Sequence, residues 1–199
     1  MAEMVSYEYE RDDYYCYPDS AVLKNKLGIK DDKKLIEAER KISAYKLIEL
    51  EHNPIPGELN FEYLRKIHRY LFEDIYEWAG ENRTVDISRG DIFCMHELID
   101  VCINQVMNEL KEEGFLNSLD EADVIKRLAY YIGEMNTIHP FREGNGRTQR
   151  AFIRELAARN GVRLVFDKIT PKEMIEASKK TFHHDYEMME ELLKRAVVD

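Results

Sequence analysis

The chain reads as an all-α protein, a helical bundle carrying one short β-hairpin. Three observations predict this. Apolar residues recur at three- and four-residue spacing over most of its length, helix-start signals precede several of these runs, and period-two alternation is confined to residues 83–95. Residues 33–51 place Leu35, Ile36, Ile42, Tyr45 and Leu50 at helical spacing, and Pro54 and Pro56 end that run. Asn60 is positioned to cap a segment in which Phe61, Leu64, His68, Leu71, Ile75 and Trp78 share a face up to Gly80. His68, on that apolar face, reads as a core histidine whose ring nitrogens are satisfied internally. The 83–95 stretch, with Gly90 at its turn, reads as the hairpin, and Ile99, Cys102, Ile103, Val106 and Leu110 mark the next helix. Ser118-Leu119-Asp120-Glu121 has the form of a capping box opening a helix through Ile125, Leu128, Ile132 and Met135 to His139. Pro140 disfavours its continuation. From Arg147, an apolar face of Phe152, Ile153, Leu156 and Ala157 predicts another helix, followed by a brief extended piece at 163–166. Thr170-Pro171-Lys172-Glu173 is a second capping box with proline at the first helical position, and Asp185 is placed to cap a last helix through Leu193. No repeat or linker interrupts the chain. It is therefore expected to form one domain over 1–199, with a core of about 33–196 and an N-terminal segment, 1–32, packed on it as an extension.

Composition limits the function classes. Hydrophobic residues make up 44% of the 199, enough for a sizeable core. The net charge of −10 argues against a general nucleic-acid surface, while still allowing a local cluster such as Arg142, Arg147 and Arg150 to hold phosphates. Cys16, Cys94 and Cys102 have neither metal-site nor redox spacing and read as reduced thiols of a cytoplasmic protein. No apolar run reaches the length of a signal peptide or membrane span.

The chemistry concentrates between His139 and Arg150, in the run His139-Pro140-Phe141-Arg142-Glu143-Gly144-Asn145-Gly146-Arg147-Thr148-Gln149-Arg150. Gly144 and Gly146 allow a tight loop at a helix N-terminus, where free backbone N–H groups and the helix dipole attract anions by roughly 0.3 to 2 kcal/mol per charge. Arg147 and Arg150 share a helix face, and guanidinium forks suit phosphate oxygens. Glu143 is a hard oxygen ligand, for which Mg²⁺ beside phosphates is the natural ion. His139 is a base of suitable unperturbed acidity. A His139–Glu143 metal pair on a continuous helix is the competing arrangement, and Pro140 with the two glycines argues against it. The conjunction predicts a site for a nucleoside triphosphate.

The run resembles the signature of the Fic family, His-x-Phe-x-(Asp/Glu)-Gly-Asn-Gly-Arg-x-x-Arg, at every fixed position. The similarity extends from about Tyr15 to the C-terminal region. It includes the segment from Tyr17-Pro18-Asp19 to Leu27-Gly28-Ile29, which is similar to the opening of single-domain bacterial Fic toxins, and Trp78-Ala79-Gly80-Glu81-Asn82-Arg83 followed by Asp86-Ile87-Ser88-Arg89-Gly90-Asp91, where such proteins carry a hairpin flap over the active site. The resemblance implies a Fic-type helical bundle and a protein adenylyltransferase that moves AMP from ATP to a hydroxyl side chain of a target protein, with pyrophosphate leaving. His139 is then the general base and Glu143 the Mg²⁺ ligand. Gly144, Asn145 and Gly146 form the anion hole, Arg147 serves the β-phosphate region and Arg150 the γ-phosphate, while Phe141 packs in the core. Gly146 stands where the phosphorylating Doc branch carries lysine, which leaves room for the α-phosphate. Val85, Asp86, Ile87 and Ser88, or the returning strand at 91–94, are expected to dock the target segment by strand addition, or else the hairpin merely closes over the nucleotide.

Family members are commonly restrained by a helix bearing Ser/Thr-x-x-x-Glu-Gly/Asn, whose glutamate pairs with the second arginine, here Arg150. Ser6 to Glu10 has the spacing but is followed by Arg11, and Thr181 to Asp185 ends in aspartate. The inhibitory helix is therefore expected on a small antitoxin partner, with DNA gyrase and topoisomerase IV subunits as the implied targets. Two alternatives stay open at this point: a nucleotide-binding module that transfers nothing, and a related enzyme using another nucleotide.

Overall fold

The computed structural model describes residues 12–198 of the chain. Its helices are α1 (Asp32–His52), α2 (Phe61–Phe72), α3 (Ile99–Glu112), α4 (Glu121–Ile138), α5 (Asn145–Arg159), α6 (Pro171–Thr181) and α7 (Glu187–Ala196). Two strands, β1 (Ser88–Arg89) and β2 (Asp91–Ile92), pair antiparallel across Gly90 with Ser88 opposite Ile92. The protein is thus helical, as expected.

Helix α4 is the centre of the bundle, packed by α3, α5, α6 and α7, while α2 lies against α1, α3 and α5. Its sequence explains that position. Val124, Leu128, Ala129, Tyr131, Ile132 and Met135 are all buried, on more than one face, and each large apolar side chain so buried stabilises the fold by about 1.5–3 kcal/mol. Gly133 allows the closest approach: a Cβ there would lie 2.8 Å from the Tyr186 ring and 2.9 Å from Thr181 Cβ. Any larger residue would push α6 and the start of α7 away from α4.

The caps follow the sequence with two corrections. At α4 the cap is Asp120, whose Oδ1 accepts the Asp123 N–H at 3.0 Å, and Ser118 lies upstream of the helix start. The short acidic side chain in extended backbone supplies the acceptor that the serine was expected to give. Helix α2 stops at Phe72, short of Gly80. Turns follow it, and Ile75 and Trp78 remain buried there because those turns pack back on the same core, so apolar spacing outlasts the helix. Asn60 caps α2 and Thr170 with Glu173 forms the capping box of α6. Asp185 accepts the Glu187 N–H at the start of α7 at 3.2 Å.

Two segments position the site. Arg83, 1% exposed, donates to the carbonyls of Val85, Cys94, Ile138 and His139, and so fastens both ends of the hairpin region to the end of α4. Residues 12–31 pack on the other side. Tyr15 and Cys16 are buried, and Arg142, fully buried, pairs with Asp12 at 3.3 Å and lies over the Tyr15 ring. Residues 6–11, with their Ser-to-Glu spacing, lie outside the described residues. Among those described, no helix is long and apolar enough to cross a membrane.

Candidate active site

His139 closes α4 in the left-handed conformation, with φ of 51°. Its N–H still bonds back to the Met135 carbonyl at 2.9 Å, so the helix ends by a tight αL turn that redirects the chain into the loop. The next residues are fixed from three directions. Asn145 is buried and turns its carboxamide inward, accepting the Phe141 N–H at 2.9 Å and donating to the Phe141 carbonyl at 2.6 Å. His68, fully buried, bridges two segments: its Nε2–H donates to the Glu143 carbonyl at 2.9 Å, and its Nδ1 accepts the Gly80 N–H at 2.8 Å. Those partners require one neutral tautomer, and burial, the largest influence, lowers the ring's pKa to about 3. The imidazole also stacks on Phe141 at 3.9 Å. Gly144 completes the turn at φ of 81°, where a Cβ would fall 2.3 Å from the Phe72 ring. Only glycine fits that backbone and that contact.

The turn delivers the start of α5. The first intrahelical bond runs from Thr148 N–H to the Gly144 carbonyl, leaving the amides of Asn145, Gly146 and Arg147 as the unsatisfied donors of a helix N-terminus. His139, Gly146, Gln149 and Arg150 from the motif face one cleft. Its opposite wall comes from the hairpin, through Arg89, Asp91 and Phe93, and from α6 and the following turn, through Met174, Ser178 and Phe182. The cleft measures about 700 Å³ with the solvent at its open mouth included.

Electrostatics sort the motif residues. The His139 ring is 4% exposed, stacks on Phe93 at 3.9 Å, and donates from Nδ1 to the Asn136 carbonyl at 3.1 Å. That bond puts the lone pair on Nε2. A helix C-terminus favours imidazolium. Burial, with help from Arg89 and Arg83, overrides it and lowers the pKa to about 3, so the ring is neutral at physiological pH. Arg150 is also withdrawn from water, which together with neighbouring Arg147 lowers its pKa to about 10. No carboxylate pairs with it among the described residues. It is a cation aimed at a cleft.

Arg147 has a different setting. Burial pulls its pKa down, but Glu39 and then Glu143 outweigh that and raise it. It pairs with Glu39 of α1, donates to Ser43 Oγ at 2.8 Å, and comes within 3.5 Å of Glu143 Oε1. It does not line the cleft. Burial and then Glu39 raise the Glu143 pKa, opposed by Arg147. Glu143 Oε1 accepts the Gly144 N–H at 2.8 Å, while Oε2 has no protein donor among the described residues. Of the residues expected in the flap, Ile87 is buried with Phe93, Asp86 pairs with His96 at 3.0 Å, and only Ser88 enters the ladder.

The loop and the hairpin beside the cleft were legible in the sequence, and the α6 part of the far wall was not. Met174, Ser178 and Phe182 lie more than thirty positions from His139 with no local signature, and tertiary packing alone brings them to the cleft. Glu39 and Ser43 could have been suspected as polar residues on the inner face of a helix.

Comparisons with known proteins agree with this geometry. A Fic/DOC family profile matches residues 58–157. The chain is 37% identical over 188 residues to the protein adenylyltransferase VbhT of Bartonella schoenbuchensis, covering 94% of this chain and 39% of that protein. It is 35% identical over 186 residues to the "Probable protein adenylyltransferase Fic" of Escherichia coli, covering 93% of this chain and 92% of that one. Among solved structures, BepC of Bartonella tribocorum with bound AMPPNP superposes with a TM-score of 0.87 at 26% identity, over 96% of this chain and 99% of that chain. The N-terminal Fic domain of a VirB-translocated effector of Bartonella quintana with bound ADP gives 0.87 at 30% identity, over 95% and 96%. The motif loop, the bundle that holds it and these likenesses agree, and the chain belongs to the Fic/DOC family.

Proposed function

We propose that this protein is an adenylyltransferase that moves AMP from ATP to a hydroxyl side chain of another protein. The observation that carries this is one cleft in which a neutral, Nδ1-anchored imidazole, the helix start at Gly146 and an arginine with no carboxylate partner among the described residues converge. The triphosphate lies along the start of α5. The amides of Asn145 and Gly146 receive the α-phosphate, and Arg150 receives the terminal phosphate. His139 Nε2 takes the proton of the attacking hydroxyl as the new P–O bond forms, and the bond to pyrophosphate breaks. A base in this position contributes roughly 10² to 10⁴-fold. The anionic nucleotide, entering the cleft, raises the basicity of His139 from its buried value toward the working range.

Glu143 fits a divalent cation, since Oε2 has no protein donor among the described residues and the carboxylate belongs to the glycine loop at the start of α5. Such an ion, when bound with the nucleotide, neutralises charge on the leaving pyrophosphate. Arg147, held against Glu39, contributes charge to this corner. Asp91, Ser178 and the Phe93–Phe182 pair, whose ring centroids are 5.3 Å apart, form the wall for the base and sugar. The target segment approaches over the hairpin, where Asp86 and Ser88 are reachable from outside and Gly146 keeps the floor low.

The reading extends to a toxin held by an antitoxin in trans and acting on type II topoisomerase subunits. Arg150, which has no carboxylate partner among the described residues, is the group that such an antitoxin's glutamate would pair with. Incubation with ATP labelled at the α-phosphate, Mg²⁺ and purified gyrase subunits tests both parts. Label on a subunit, lost in His139→Ala and suppressed by GTP or UTP only at large excess, supports the proposal. Tight ATP binding with no label on any protein favours a binding module instead.

A further inference from the structure

One carboxylate of the buried polar cluster beside the loop has no part in the chemistry described so far. Glu39 lies in the middle of α1, 7% exposed, and its two oxygens are both engaged. One accepts from Arg147 Nη2, the other from the hydroxyl of Tyr76, itself 1% exposed. Ser43, one turn further along α1, accepts from Arg147 Nη1 at 2.8 Å, and the Phe72 ring lies 4.8 Å from the guanidinium carbon. Three residues, two of α1 and one of α2, therefore hold the Arg147 fork. From the motif loop, Glu143 Oε1 approaches it at 3.5 Å, beyond an ordinary charge-assisted hydrogen bond. Two carboxylates compete for one arginine, and the geometry gives it to Glu39.

We infer that Glu39 is a positioning residue for the divalent cation: by holding Arg147 toward α1, it keeps the Arg147–Glu143 ion pair loose, at 3.5 Å, instead of a direct bidentate hydrogen bond. The inference rests on the proposed role of Glu143. Arg147 and Glu143 are i and i+4 neighbours, and a guanidinium fork released from Glu39 has a bidentate carboxylate within reach. A Glu143 so paired loses the free oxygen that a metal needs. Glu39 also adds negative charge to the corner, which favours a cation by direct attraction. The two effects act in the same direction and a double substitution separates them. Tyr76 has a supporting part, because its hydroxyl fixes the second oxygen of Glu39 and so the direction in which the first one points.

The test uses the full chain, AMPPNP and Mn²⁺, with divalent binding to the protein–nucleotide complex followed by calorimetry and by the electron paramagnetic resonance of free Mn²⁺. Glu39→Gln keeps the shape and loses the charge, and it is expected to weaken divalent binding about tenfold, as loss of an outer partner of a metal ligand typically does. Affinity for AMPPNP without metal stays within about twofold, which also reports that the variant is folded. Glu39→Asp restores part of the loss. In an Arg147→Gln background, Glu39→Gln is expected to shift divalent binding by less than about twofold, since no arginine remains to be released. Unchanged Mn²⁺ affinity in Glu39→Gln, with the parent binding Mn²⁺ normally, overturns the inference and makes the pair a purely structural link between α1 and α5. A tenfold loss that persists without Arg147 also overturns it, by assigning the effect to the charge of Glu39 alone. If Glu143→Ala leaves divalent binding at the parental level, the assignment of Glu143 itself fails, and the inference fails with it.

Discussion

The two walls of the cleft are built differently. The motif loop is over-determined: the Asn145 carboxamide, the His68 ring, the Gly144–Phe72 contact and the Arg83 guanidinium each fix its backbone independently. The facing wall is a hairpin of two residue pairs, with Asp91 and Ile92 exposed, beside one face of the three-turn helix α6. Under the proposed function, the groups assigned to chemistry sit where displacement is most costly. Those assigned to the base, the sugar and the target sit where substitution is cheapest, so selectivity could vary without dismantling the loop.

The comparison can be broken most directly at the loop. His139→Ala should lower AMP transfer by about 10² to 10⁴-fold while ATP affinity stays within a few-fold, measured by label incorporation and equilibrium binding. Comparable loss of binding would mean that the ring is mainly structural. Gly144→Ala should cost about 3 kcal/mol or more, from positive-φ strain and overlap with Phe72, read as a drop in thermal midpoint. Asn145→Ala follows at about 1–3 kcal/mol, because both Phe141 backbone groups lose their partner inside the core. Across the cleft, Asp91→Ala and Ser178→Ala should leave stability within about 0.5 kcal/mol. Their effect belongs in the KM for ATP and in the preference among nucleotides. A large stability loss at either would show that the two walls are equally constrained.

The pH dependence sharpens the same contrast with the smallest effect. His68 and His139 have folded pKa values lowered to about 3 from 6.5, so the unfolded chain binds protons that the folded one refuses. Stability from these rings is fully present above about 6.5 and declines as pH falls from there toward 3. Replacing His68 by Gln, which retains a donor and an acceptor, should flatten part of that decline in urea titrations at pH 7 and pH 5.

Much of this molecule is legible in its residues, and the limit of legibility follows the same division. The loop is written in contiguous types, His139 through Arg150, each with a local physical reason, and the caps at Asn60 and Thr170 bond as their types predict. The end of α2 was not legible, because Ile75 and Trp78 keep a helical spacing while folding as turns. Arg147 was read as a β-phosphate group from its motif. Its pairing with Glu39, more than a hundred positions away, is encoded by no local pattern. The residues of α6 that line the cleft were hidden for the same reason.

The proposed transfer requires that the loop present the α-phosphate, not the γ-phosphate, to an incoming hydroxyl. Parallel reactions of the protein and a target with ATP labelled at one or the other phosphate test it. The expected result is α-label covalently attached to protein and γ-label released in pyrophosphate. Retention of γ-label on protein, with α-label released in ADP, would contradict it.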